Sequence, residues 1–184
     1  STRLVGTGTW QSVAYGQPDG SPLFTLVNAE GGALTTENGS FFTVSFPGIT
    51  EPFTSVAYGN NQFIASAGQG RILTSPNGDR WTVRSTANLG MLNAVGSNAP
   101  EGIAVGANGL IFRSRSSPWV PATDSGLYPV NLRATAYGNG RHVVVGDNGW
   151  IMSSTEGNTW TPRVSNLSQN LNGVAYGTYL SGGN

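Results

Sequence analysis

Short runs of apolar and small residues, such as FIASA at 63–67 and HVVVG at 142–146, are cut off by Gly, Asn and Asp along the whole chain. No stretch keeps apolar residues at three-and-four spacing over about ten residues without Gly or Pro, so helices are not expected. The runs are nearly continuous in apolar character instead of alternating. That is the pattern of strands covered on both faces.

The runs repeat. Residues 53–84 read FTSVAYGNNQFIASAGQGRILTSPNGDRWTVR, and residues 132–163 read LRATAYGNGRHVVVGDNGWIMSSTEGNTWTPR, matching without a gap. A third copy starts at Trp10 with a longer hairpin through Gln17 to Pro22, and a fourth starts at Leu92 with a shortened, Gly-free turn before Trp119. Taking the fourth residue of each copy as a mark gives Val13, Val56, Val95, Thr135 and Val174, spaced by 43, 39, 40 and 39 residues. A period of about 40 residues decides the architecture before any single residue does.

Each unit divides into four pieces. In the copy from Leu132 these are LRATAYG, RHVVVG, WIMSS and TWTPR, joined at Asn139-Gly140, Asp147-Asn148-Gly149 and Glu156-Gly157-Asn158. These residue types accept the positive φ of tight hairpins, so each unit is predicted to be a four-stranded antiparallel meander. The joints Gly31-Gly32, Gly68-Gln69-Gly70 and Asn108-Gly109 match Asn148-Gly149 in this reading.

A lone four-stranded sheet would expose one apolar face, and stacking the units side by side buries it. The predicted fold is all-β, a β-propeller of about four full blades plus partial end strands. It forms one domain over residues 1–184, with units near 10–45, 53–84, 92–122 and 132–163 and partial units at 1–5 and 171–177. Ser1-Thr2-Arg3 aligns with Thr161-Pro162-Arg163, a fourth-strand remnant, and residues 171–177 read as an opening first strand. Closure is expected through a composite fifth blade or through a partner chain, because open edges and uncovered blade faces invite aggregation.

The motifs VAYG, VGDNG and SSTEGNTW resemble the sialidase-like repeat class of bacterial propellers, which includes photosystem II assembly factors and many uncharacterised secreted proteins. The turn before the last strand resembles the Asp-box: Ser153, Gly157, Thr159 and Trp160 fit, while Thr155 stands where Asp belongs. The resemblance implies a folding element on the outer rim and an extracellular or periplasmic bacterial location. It says nothing of catalysis.

Charge removes some partners. Nine basic residues, all Arg, balance nine acidic ones, so no field gathers nucleic acid, and no apolar run is long enough to insert into a membrane. With no Cys and no Lys, thiol chemistry and a phosphate-clamping Lys are ruled out; no cofactor is expected. A sialidase-type site needs clustered Arg, an Asp acid and an activated Tyr, as the resemblance implies. Here Arg3, Arg84 and Arg163, like Tyr15, Tyr58, Tyr137 and Tyr176, recur once per unit, which marks packing and not a site. The carboxylates sit mostly in turns, and His142, the single His, lies in a strand where the matching unit has Phe63. The chain is therefore read as a non-enzyme.

Aromatic faces remain as candidate contacts. Trp81, Trp119 and Trp160 are equivalent by repeat and read as staples of the last strand. Trp150 breaks the repeat, following a turn where the other units have Arg71, Leu110 and Ala33, and is expected to be exposed. The candidate ligand-binding residues are Trp150, Asp147, Asn148, Arg71 and Trp119. The segments Gln17 to Pro22 and Ser116 to Tyr128 depart from the repeat and are further places for function to enter. The expected role is a secreted binding or scaffold module for a glycan or a protein, with association of copies through open blade edges. The alternatives are a fragment of a sialidase-like glycoside hydrolase or lyase, or a self-assembling structural subunit.

Overall fold

The computed structural model describes residues 8–85, 90–98, 101–114 and 118–178. They form four sheets, each of four antiparallel strands in sequence order. Blade 1 holds β1 (Trp10–Gly16), β2 (Leu23–Asn28), β3 (Ala33–Thr36) and β4 (Thr43–Ser45). Blade 2 holds β5 (Phe53–Gly59), β6 (Gln62–Ala67), β7 (Arg71–Ser75) and β8 (Thr82–Val83). Blade 3 holds β9 (Leu92–Asn98), β10 (Glu101–Gly106), β11 (Ile111–Ser114) and β12 (Val120–Pro121). Blade 4 holds β13 (Leu132–Gly138), β14 (Arg141–Gly146), β15 (Ile151–Ser154) and β16 (Thr161–Arg163).

The turns adopt the conformations their residues favour. Asn60 and Asn61 (φ 52° and 56°) reverse the chain between β5 and β6, and Asn148-Gly149 (φ 56° and 71°) does so before β15. Asn tolerates this left-handed region better than most residues, and Gly enters it freely. In blade 1 the equivalent of Asn148-Gly149 is Glu30-Gly31, one residue earlier than the sequence comparison placed it, because Ala33 pairs with Val27 as Ile151 pairs with Val145. The Asn28 side chain supports that turn, its Oδ1 accepting from the Gly32 N–H at 2.7 Å.

The ladder explains the sequence marks. Val56, Ala65, Leu73 and Val83 lie in one row across blade 2, and Thr135, Val144, Met152 and Pro162 in the matching row of blade 4. Successive first strands pack along one another, β1 on β5, β5 on β9 and β9 on β13, so they line a common axis. Three apolar clusters fill the three junctions. Val27 and Ala33 meet Phe53, Phe63 and Leu73; Ile64 and Ile72 meet Val95, Phe112 and Trp119; Ile103 and Ile111 meet Leu132, Met152 and Trp160. Burying each large side chain contributes about 1.5–3 kcal/mol, so the junctions carry most of what holds the sheets together.

Close approach at the axis depends on a glycine at the seventh position of β1, β5 and β13, where β9 has Asn98. A Cβ on Gly16 would overlap the Tyr58 ring, one on Gly59 would overlap Ser97, and one on Gly138 would overlap the Tyr176 ring. At these three places a sixth residue, of β5, of β9 or of the terminal segment, sits on the seventh residue of the first strand before it.

Residues 171–177 keep the place of a first strand but not its ladder, which corrects the expectation of a strand there. The Leu171 N–H donates to the Gly146 carbonyl at 2.9 Å. Asn170 Oδ1 accepts from the Asn148 N–H at 3.1 Å, as Asn131 Oδ1 does from Asn108 at 3.4 Å. The remnant expected at Ser1–Arg3 lies outside the described residues. Among those described, the arc is open: Gly177 has nothing within 4 Å of an added Cβ, and Tyr15 is 50% exposed.

The Tyr-on-Gly contact makes a prediction. Gly16→Val is expected to destabilise the protein by about 1–3 kcal/mol through overpacking against Tyr58, whereas Gly173→Val, in open space, leaves stability within about 0.5 kcal/mol. Urea unfolding of the two variants beside the parent checks this.

Candidate functional site

Every first strand carries a register shift at its second residue. It falls between Trp10 and Ser12, Phe53 and Ser55, Leu92 and Ala94, and Leu132 and Ala134. A bulge of this kind leaves the extra residue unpaired and re-aims its side chain. The residues so placed are Gln11, Thr54, Asn93 and Arg133, all polar, and Asn172 holds the same position in the terminal segment.

Three of them meet at one cleft. Asn93, Arg133 and Asn172, with Met91, Ala107 and Asn131, line a cavity of about 380 Å³ where the start of β9, the start of β13 and the terminal segment come together. Arg133 Nε is bonded to Asp147 Oδ1, and Asn131 Nδ2 donates to Asp147 Oδ2 at 2.9 Å. The Arg133 hydrogen bond holds the Asp147 carboxyl below the usual carboxylate range against the opposing effect of desolvation, and Asn131 adds to the lowering. The ion pair cancels its own charge, so the cleft offers amide donors and acceptors with the exposed Met91 at its margin. Among the described residues no three His, Asp or Glu side chains group as metal ligands would.

The candidates from sequence fall in different places. Asp147 is at the cleft, held by Arg133 and Asn131. Asn148 is in the adjoining turn, its N–H bound by Asn170 Oδ1 at 3.1 Å. Arg71 lies in another blade and pairs with Glu51 at 2.7 Å. Bonds from its own backbone N–H and from Arg71 hold the Glu51 carboxyl below its ordinary value. Trp119 is buried in the junction of blades 2 and 3.

Trp150 is not exposed, contrary to expectation. Its ring packs on Tyr128 at 5.4 Å and against the cluster between blades 3 and 4, and its Nε1 is buried without a hydrogen-bond partner. The blade 1 counterpart of Trp150 is Gly32, not Ala33. The cause of the burial is the long segment before β13, whose sequence departs from the repeat. Within it Asp124 Oδ2 accepts from the Trp160 N–H at 2.6 Å and Ser125 Oγ accepts from the Ile111 N–H at 2.9 Å. The segment ties blade 3 to blade 4 and covers the indole. Its first part, through Ser117, lies outside the described residues.

The other staples behave as predicted. Trp81 Nε1 and Trp160 Nε1 donate to the carbonyls of Gly78 and Gly157 at 2.9 and 3.1 Å, fastening each last turn to its strand.

One further ionisable pair crosses a junction. His142 Nε2 lies 3.3 Å from Glu101 Oε2, both buried between blades 3 and 4. The corresponding positions at the junction of blades 1 and 2 are Phe63 and Leu23, which share one apolar cluster. Desolvation pushes the His142 pKa below its ordinary value, and Glu101 pushes it back less strongly.

No protein-family model matches the chain, and no curated protein does. Solved structures do. YCF48 from Cyanidioschyzon merolae superposes with a TM-score of 0.67 at 15% identity, over 93% of this chain and 61% of that one. YCF48 bound to D1 peptide gives 0.69 at 15% identity, over 95% and 59%. The GH74 enzyme of Niastella koreensis gives 0.63 at 18% identity, over 90% and 26%. The fold is that of a β-propeller. The chain spans about three fifths of the two YCF48 chains and about a quarter of the GH74 enzyme. At these identities the likeness is one of fold.

A pH dependence follows from His142. The unfolded chain takes up its proton near pH 6.5 and the folded chain only lower, so stability is full above 6.5 and is lost as the pH falls below it. Unfolding titrations between neutral and acidic pH are expected to show this slope. The double variant Glu101→Leu, His142→Phe, which installs the apolar pair of the first junction, is expected to flatten it.

Proposed function

We propose that the chain is a non-enzymatic scaffold that binds an extended segment of a partner protein at the axial cleft. The observation that carries this reading is the convergence of Asn93, Asn131, Arg133 and Asn172 on one cavity beside Met91. Asn93 spends one N–H on the Leu132 carbonyl and Asn131 one on Asp147; the remaining amide N–H groups and carbonyl oxygens complement a peptide backbone, and an apolar margin gives a side chain a place to rest. The similar YCF48 structure bound to D1 peptide supports a peptide as the ligand class. The assembly factors of the resembling family support a scaffold role.

A glycan ligand has less support. The indoles that motivate it are packed: Trp119 and Trp160 are buried, and Trp150 is tucked under Tyr128. Glycosidase chemistry would need a paired acid and base, and the Asp147 carboxylate is already held by Arg133. Export from a bacterial cell rests on the family resemblance alone. A second protein ligand is another copy of this chain, a reading favoured by the exposed apolar face of blade 1.

Selection from a random-peptide phage library against the protein tests the reading. Recovered peptides are expected to compete for one site. The double variant Met91→Ala, Asn172→Ala, altering two exposed residues, is expected to weaken them by about tenfold. Peptides indifferent to that variant would overturn the assignment, as would a glycan-array ligand, or turnover of a model glycoside, in the absence of any selected peptide.

A further inference from the structure

We propose that the uncovered face of blade 1 receives a second copy of this chain, bound head to tail, with Tyr15 of one copy seated on Gly177 of the other. The reading is independent of the axial cleft. It rests on a contact the chain makes repeatedly with itself. Tyr58 sits on Gly16, Ser97 on Gly59 and Tyr176 on Gly138, each a sixth residue of one first strand over the seventh residue of the preceding one.

Two halves of this contact are left over. Tyr15 holds the same place as Tyr58 and is 50% exposed, and Gly177 holds the same place as Gly16 with no atom of the described residues within 4 Å of an added Cβ. Neighbouring residues on blade 1 follow suit. Val13 is 57% exposed where Val56 is 5%, and Phe24 is 39% exposed where Phe63 is fully buried. Phe24 packs on Tyr15 at 5.1 Å, so the two rings and Val13 make one apolar patch without a charge on it.

The partner is specified by what the patch lacks. It needs a first strand whose seventh residue has no side chain, and the terminal segment of a second copy offers that at Gly177, over which no described residue sits. The two surfaces differ, so the contact is heterologous and propagates unless the rotation closes a ring. Confined to first strands and Phe24, it belongs with small, transient interfaces under about 1,200 Å², so association rises with concentration.

Sedimentation velocity over a wide concentration range tests this. The parent is expected to form dimers and larger species, and Tyr15→Asp or Gly177→Trp to weaken association by about tenfold or more. Thermal unfolding of each variant confirms that it is folded. Mixing the two variants is the decisive arm: one keeps the socket and the other the knob, so a dimer that does not grow is expected. A parent that stays monomeric throughout overturns the proposal and leaves the face to a further blade of a longer chain. Undiminished self-association of Gly177→Trp also overturns it, since that would show two blade 1 faces pairing with each other. Peptide selection at the axial cleft is unaffected by either variant.

Discussion

A four-stranded sheet with apolar residues on both faces cannot stand alone in water, and every feature of this chain answers that constraint. The strands are too short and too uniformly apolar to leave a face wet. Blades 2 and 3 therefore bury one face against the blade before them and the other against the blade after them. The three junction clusters are the result, and the glycines under Tyr58, Ser97 and Tyr176 are what let the first strands come close enough to form them. The same constraint explains why blade 1, with nothing described in front of it, displays Val13, Tyr15, Phe24 and Val44.

Function enters where the repeat relaxes. The first strands pack between blades through their third to seventh residues, which read SVAYG in β1 and β5, ATAYG in β13 and AVGSN in β9. Their second residues are freed by the bulge and vary as Gln, Thr, Asn, Arg and Asn. Because all of them fall at the same end of the arc, variation at that one place writes a binding surface without touching the core. The long segment before β13 relaxes the repeat for another reason, since it covers Trp150 and fastens blade 3 to blade 4.

Most of the architecture was legible in the sequence because it is carried by local chemistry repeated four times. The blade count, the four-strand division and the positive-φ turns all follow from Gly, Asn and apolar runs at fixed spacing. The site was harder to read. Trp150 looked exposed because the sequence comparison matched it to Arg71, Leu110 and Ala33, and nothing local shows that Tyr128 folds over it. Arg71 looked available, yet Glu51, twenty residues away, takes it. The cleft residues Asn93, Asn131 and Asn172 passed unnoticed because each alone is an ordinary polar residue. For Asn93 and Asn172 the signal was the always polar second position of the first strands, and its meaning depends on a bulge that only the ladder reveals.

Amide hydrogen exchange, read strand by strand, tests the claim that cover on both faces is what stabilises a blade. The account predicts that amides of β6 and β10, in blades covered on both sides, exchange more slowly than those of β2, in the blade with one face uncovered. Equal protection of β2, β6 and β10 under conditions where the chain is monomeric would contradict it.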